Sequence, residues 1–435
     1  MRNYRTYMIT LLITVIGLSL FSLAASVLVD PYGIHRLVTI EGFNAKKTEA
    51  DTNIRLVKAY GLKQAKPDTI ILGNSRVEDG YDTDLFDQAL GVDVYNVGLP
   101  GSSIYELYRY LQHAQSIRPL KRIILAVDYF SFNSNQGRFP PTFKEGRLDI
   151  QADGAATSRL NGERIEDYNN IYVSLSSLGK AWKTLIKQSR ENVSNRTATG
   201  FNPMNEADLV YARRGYRKNF FAKDYSQARN IWRRGFNSEA SKRWPIAPFE
   251  YLEKIIELAR DNNIQLDLFI HPYHAHMLEM INALGQWEDF ENWKRYLVSL
   301  LVADRARNPE GLEFPLWDFS TYNSITNDPL PAFDDNGAGL AWYWDVSHYK
   351  SGVGNLVVRR LYDIEEIADE TPRPGRLTAA RGQPRWPNWP RSSKPSAPCR
   401  APGRKIKSGR RRARAGSNLR RTSAAGARRY CAACS

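Results

Sequence analysis

Cysteine is missing from the first 370 residues of this 435-residue chain; all three, Cys399, Cys431 and Cys434, lie near the C-terminal end. The body therefore holds no disulfide framework and no thiolate metal site, a composition compatible with an oxidising compartment. Histidine is also scarce, at six positions, so imidazole chemistry has few places to form. Acidic residues stop at Glu370. From Thr371 to Ser435 there are 18 Lys and Arg and no Asp or Glu, whereas the preceding residues carry 43 basic and 46 acidic side chains. The net charge of +15 thus arises wholly in the tail, and a nucleic-acid-binding reading has no support in the body. The tail lacks aliphatic periodicity as well, so it cannot offset its ordering entropy and disorder is expected. A basic arm for anionic lipid or nucleic acid, or translation past a shifted frame, are the alternatives for 371–435.

What is present begins with a run free of charge. Met8 to Val29, "MITLLITVIGLSLFSLAASVLV", has 22 residues, close to the roughly 20 that cross a bilayer as a helix. Arg2 and Arg5 precede it and Asp30 follows, so the positive-inside rule places residues 1–7 in the cytoplasm and the rest outside. The expected location is the inner (cytoplasmic) membrane, single-pass, with the main domain periplasmic or extracellular. A cleaved signal peptide is the rival, because Ala24-Ala25-Ser26 offers small residues. The apolar run continues past those alanines, which favours an uncleaved anchor.

Beyond the anchor, apolar strand-like runs alternate with helical spacing. Thr69–Leu72, "VDVYNVG" from Val92, "RIILAV" from Arg122, "IQLDLFIHP" from Ile264 and "EFPLWDFS" from Glu313 read as strands. Ser102–Gln115, Phe249–Asn263, Glu288–Val302 and "GVGNLVVRRLYDIEEI" read as helices, as does a segment ending near Gly61. Such alternation predicts an α/β fold, a parallel sheet covered on both faces in three α/β/α layers, over residues 43–370. Between Asp128 and Trp244 it lapses, apart from an amphipathic stretch at Asn170–Ser189. An insertion at about 133–245 follows, either a lid or substrate-binding element or ordinary packing decoration.

Ligands of parallel sheets sit beyond the carboxyl ends of the strands, and Ser75, Gly98, Asp128 and His271 fall at or just after such ends. "LGNSR" places Ser75 two residues after Gly73, where the first apolar run stops. A serine nucleophile needs a base and a group that orients the base. "DVSH" supplies both types: Asp345, three residues before His348, can fold back on one ring nitrogen and leave the other to face a hydroxyl. Singly, each string is more often structural, a turn or a capping histidine; their order and placement carry the catalytic reading. "IHPYHAH" brings His271, His274 and His276 close in sequence, but no carboxylate lies within it. A structural turn, or a His274 that contacts substrate, is expected there rather than a metal site. Trp342, Tyr343, Trp344 and Tyr349 are suited to stacking on sugar rings or to core packing.

Ser75 in "LGNSR", Gly98 in "YNVGLPGSS", and Asp345 with His348 in "DVSH" resemble the motif blocks of the SGNH (GDSL-like) hydrolase superfamily over roughly Asp68–Leu361, the insertion excluded. "GNSR" is similar to its membrane-anchored branch, which includes alginate O-acetylation and teichoic acid D-alanine transfer proteins. The resemblance implies a flavodoxin-like sheet and a triad of Ser75, His348 and Asp345. It implies an oxyanion site at the Ser75 and Gly98 amides, and no cofactor. The activity implied is that of a serine esterase or O-acyltransferase acting on cell-envelope or exported polysaccharide. One position departs: the family usually carries Asn after the third strand, and this chain has Asp128, whose ionised carboxylate would repel an oxyanion. Asn74, Arg76 or Asn133 is then the replacement donor, or Asp128 anchors Arg76 beneath the site. Asn74, Arg76, Asp128 and His274 are the expected substrate-side contacts. The competing class is a non-catalytic carbohydrate-binding or assembly protein on the same fold.

Overall fold

The computed structural model describes residues 2–190, 193, 196–242, 244, 246–330 and 339–364; the basic tail expected to be disordered lies outside them. Helix α1 (Arg2–Val29) precedes a loop, α2 (Ile54–Ala65), β1 (Thr69–Gly73), α3 (Ser75–Gly80) and α4 (Thr83–Leu90). Next come β2 (Val94–Gly98), α5 (Ile104–Ile117) and β3 (Arg122–Val127). Among the described residues the stretch after β3 adds no strand to the sheet. It holds α6 (Gly162–Tyr168), a π-helical turn at Asn169–Val173, α7 (Leu175–Ile186), α8 (Asn205–Arg214) and α9 (Tyr216–Arg234). Then follow α10 (Pro248–Asp261), β4 (Gln265–Ile270), α11 (Ala275–Ala283), α12 (Trp287–Arg307), β5 (Leu316–Asp318) and α13 (Ser351–Leu361).

All five strands pair in parallel in the order β2-β1-β3-β4-β5. Continuous apolar runs such as Ile70-Ile71-Leu72 and Ile123-Ile124-Leu125 are fully buried, as a sheet covered on both faces requires. Helices α2, α5 and α10 pack beside one another, while α3, α4 and α13 form a second group. The order reverses direction between β1 and β3, so a crevice opens at their carboxyl ends. Ser75, two residues beyond the end of β1, stands there.

Local chemistry explains the boundaries. Asn74 caps α3 by accepting the Arg76 N–H at 2.9 Å, and Ser103 caps α5 by accepting the Glu106 N–H at 3.3 Å. α2 runs past the expected stop at Gly61 to Ala65 and ends on Lys66 at φ +47°. Gly61 is retained inside the helix because a side chain there would meet the Tyr95 hydroxyl at 2.1 Å. Packing also begins ahead of Phe43: Tyr32 and Ile34 are buried with Leu56, Val57 and Ile171. Asp30 accepts the N–H groups of Ile34 and Arg36 at 2.9 and 2.8 Å, which ties the start of this loop to the end of α1.

One contact fixes the spacing of the two helices that flank the site. A Cβ on Gly354 of α13 would lie 1.7 Å from the Gly80 carbonyl oxygen of α3. Alanine normally stabilises a helix interior relative to glycine by up to about 1 kcal/mol. Here Gly354→Ala is expected to do the opposite and destabilise by about 1–3 kcal/mol through overpacking. Thermal melting of the two proteins checks the sign.

Candidate active site

Ser75 is the first residue of α3, placed there by the sharp turn through Asn74. Its Oγ lies 2.9 Å from His348 Nε2, although the two residues are 273 positions apart. His348 Nδ1 lies 3.0 and 2.9 Å from the two carboxylate oxygens of Asp345. Asp345 Oδ1 also accepts the backbone N–H groups of Ser347 at 2.7 Å and His348 at 3.0 Å, and the Tyr211 hydroxyl bonds the same carboxylate. The carboxylate is thus held by the turn it caps, and it holds the ring. Three side chains placed together on sequence order are in one hydrogen-bonded line.

Burial, the largest influence on Asp345, pushes its carboxyl up, but the His348 ring, its hydrogen bond, Lys223 and the Ser347 N–H outweigh this and bring it to about 2. A carboxyl lowered on folding stabilises the protein above its ordinary value near 3.8 and loses that contribution as pH falls towards 2. Against Asp345→Asn, wild type should show an advantage of about 2 kcal/mol that persists at pH 5 and fades between pH 4 and 2. Urea unfolding of both proteins across that range measures it. Asp345 is therefore ionised at neutral pH.

Asp128, where the resemblance expects Asn, is not presented to an oxyanion. Its carboxylate is paired with the Arg76 guanidinium, accepts the Phe130 N–H at 2.9 Å and is bonded by the Tyr273 hydroxyl. Arg76 in turn donates from Nε to the Ser347 carbonyl at 2.6 Å and stacks on the Tyr273 ring at 4.8 Å. Both members are buried, so neither contacts substrate as expected. They tie the end of β3 and α3 to the loop that carries Asp345 and His348. The charge that would repel an oxyanion is neutralised on the spot.

Two further assignments are corrected. The Gly98 N–H is donated to Asn96 Oδ1 at 2.8 Å, and a side chain on Gly98 would strike the Glu78 backbone at 2.2 Å. Gly98 lets α3 lie close to β2 and has no free amide for an oxyanion. Gly101, at φ +65° in the same loop, has an N–H without a partner among the described residues. That loop is pinned beside Ser75 by the Leu99 N–H bonding Gly73 O at 2.9 Å. His274 is buried and spends both ring nitrogens internally, accepting the His276 N–H at 3.1 Å as the cap of α11 and lying 3.1 Å from the Asp328 carbonyl. It does not face substrate. Burial pushes it down to about 4, so it is a neutral ring.

The other histidines of "IHPYHAH" part company. His271 bonds the Tyr349 hydroxyl at 2.8 Å, and His276 lies 3.2 Å from Asp224. No cluster of metal-ligating side chains occurs among the described residues. Asn133 is committed too: its amide donates to Gly235 O at 2.7 Å, and its oxygen accepts the Asn135 and Asn237 N–H groups. Asn74 keeps its Nδ2 without a partner among the described residues.

A cavity of about 350 Å³ opens on His348 and Asp345, walled by Asp79, Met204, Tyr211, Asn219, Ala222, Lys223 and Ser226. Ser75 is half-buried and is not among its walls. Five of the wall residues come from α8 and α9, in the stretch where the sequence alternation lapses. Phe220 and Ile231 plug α9 into the main core, and Arg196 reaches Glu78 of α3 in a buried ion pair. The insertion therefore builds part of the site. Asp79 is raised by burial and then by Glu78, which favours its uncharged form beside the ionised Asp345. No protein-family profile matches the chain, and no curated protein matches it.

Proposed function

We propose that the chain is a membrane-anchored serine esterase or O-acyltransferase of the SGNH hydrolase type, acting on cell-envelope or exported polysaccharide. The observation that carries this is the continuous line from Ser75 Oγ through the His348 ring to the Asp345 carboxylate. The strand order 2-1-3-4-5, which is that of flavodoxin-like sheets, supports the resemblance, as does the position of Ser75 at the switch between β1 and β3.

In the reaction, Ser75 Oγ attacks the ester carbonyl and His348 Nε2 takes its proton. Asp345, already ionised, stabilises the imidazolium and keeps the ring oriented. The oxyanion is received by the Ser75 N–H together with the Gly101 N–H or Asn74 Nδ2. The intermediate collapses as His348 returns the proton to the departing alcohol, leaving an acyl group on Ser75. Water, or a sugar hydroxyl whose proton passes to His348, then takes the acyl group. No cofactor takes part in this scheme. Lys223 offers a donor, and the Tyr211 hydroxyl oxygen and Asn219 Oδ1 offer acceptors, suited to sugar hydroxyls in the cavity.

Helix α1 is long and apolar enough to cross a membrane. Ser22 and Ser26 within it are buried against the domain, and Ser22 Oγ donates to the Tyr172 carbonyl at 2.7 Å. Such contacts suit a retained anchor better than a removed signal. The competing role, glycan binding without catalysis, draws on the cavity's reaching His348 and Asp345 rather than Ser75. The full chain in detergent, given a chromogenic acetyl ester with and without an acetyl-free polysaccharide, separates the readings. Release of chromophore supports catalysis, and acetyl appearing on the polysaccharide identifies a transferase. Glycan binding with no release under either condition would leave only the binding role.

A further inference from the structure

Helix α7 is amphipathic in an unusual direction. Its inward stripe of Ser177, Ala181 and Thr184 is buried, and Ser177 Oγ lies 2.8 Å from Ser22 Oγ on α1. The opposite stripe carries Leu175, Trp182 and Ile186 at helical spacing, exposed by 82%, 65% and 56%. Large apolar groups at these positions on a domain bathed only in water would be a liability. Val173, just before the helix, is exposed as well, and so are Leu37, Val38 and Ile40 in the loop that leaves α1.

These residues adjoin the end of α1, which among the described residues is the one helix long and apolar enough to cross a bilayer. The α1 residues buried against the domain, Ser22, Ser26 and Val29, lie in its last two turns, whereas Met8 to Phe21 stays almost wholly exposed. At 1.5 Å per residue those last turns cover about 12 Å, the depth of a headgroup region and the adjoining acyl chains. α7 is bonded to α1 within that depth. Its exposed tryptophan and the flanking Lys187 match the composition of an interfacial helix, with an aromatic ring at the boundary and an amine able to reach headgroups, while Lys183 is paired with Glu49.

We infer that α7 is a second membrane attachment: its Leu175, Trp182 and Ile186 face inserts into the outer leaflet beside α1. The inference rests on α1 being a membrane helix and adds a surface to it. Two attachments side by side hold the domain in one orientation, where a single flexible tether would let it swing.

The test uses the full chain with Cys399, Cys431 and Cys434 changed to serine, which is practical because the body contains no other cysteine. Single cysteines replace Trp182, Ile16 on α1 or Val302 on α12, each labelled with an environment-sensitive fluorophore. The proteins are reconstituted in phosphatidylcholine–phosphatidylglycerol vesicles containing spin-labelled lipid. Expected is quenching of the Trp182→Cys probe at least about threefold stronger than at Val302→Cys, and shielding from aqueous iodide. A Trp182→Cys probe open to iodide and spared by lipid, with Ile16→Cys quenched, would overturn the second attachment and leave the anchor standing. If Ile16→Cys also escapes the lipid, both fall. Disulfide-linked dimers of the unlabelled Trp182→Cys protein, with no lipid quenching of the labelled one, would assign the face to a second copy of the chain and reject the bilayer.

Discussion

Ser75→Ala is expected to lower ester turnover by at least about a thousandfold while leaving thermal stability within about 1 kcal/mol of wild type. The argument is local. Ser75 is half-buried at the head of α3, and Asn74, not Ser75, caps that helix. Removing the hydroxyl therefore costs one hydrogen bond to His348 and little packing. A His348→Gln variant should lose activity to a similar extent, because a nucleophile without its base and a base without its nucleophile fail at the same step. The double variant is then expected to be no worse than either single one. Additive losses would mean that the two side chains act separately, and a Ser75→Ala protein that still turns over ester would remove the nucleophile altogether.

Arg76→Met should give the largest loss of stability at the site. It strands the buried Asp128 carboxylate and the Ser347 carbonyl together, and breaking a buried pair from one side costs about 3–5 kcal/mol, enough to lower Tm by roughly 10 °C. Arg76→Met with Asp128→Leu removes both charges and should recover much of the stability, since an apolar pair of similar volume is often neutral. Activity should not recover in step. The loop with Asp345 and His348 would still lack its tether from α3, so kcat is expected to stay low after the fold is restored. Scanning calorimetry beside ester kinetics on the three proteins reads both effects. Equal melting of Arg76→Met and wild type would contradict the role assigned to the pair.

The sheet was legible because β1 and β3 are short, continuous runs rich in β-branched residues, and β2, β4 and β5 are short, mostly apolar runs that alternate with helical spacing; parallel strands buried on both faces look that way. The triad was legible through order: a serine at the first strand end and an Asp-x-x-His near the last helix are local strings whose meeting needs only the parallel topology. α3 was not seen, since six residues beginning at a serine carry too little periodicity to separate a helical turn from a loop. The assignment of the Gly98 amide failed for a different reason. "VGLPG" holds two glycines, and only hydrogen-bond geometry shows that Asn96 has taken the first amide. Of the two readings of His274 the structural one holds; the sequence left both open because an N-capping imidazole and a substrate contact look alike in a string. The cavity wall from α8 and α9 was hidden because those helices bury few side chains, so no apolar stripe announces them, and Lys223 gains its meaning only from lying near Asp345. The pairing of Arg76 with Asp128 was foreseen as one option, on the ground that an ionised carboxylate would repel an oxyanion and so needed another role.

The most direct test of the account is covalent capture. The full chain treated with a fluorophosphonate and digested should yield one modified peptide, that containing Ser75, at close to one equivalent, and His348→Gln should abolish the labelling. A phosphonate found on another serine, or on none under conditions where the protein is folded, would contradict the claim that Ser75 is a nucleophile activated by His348.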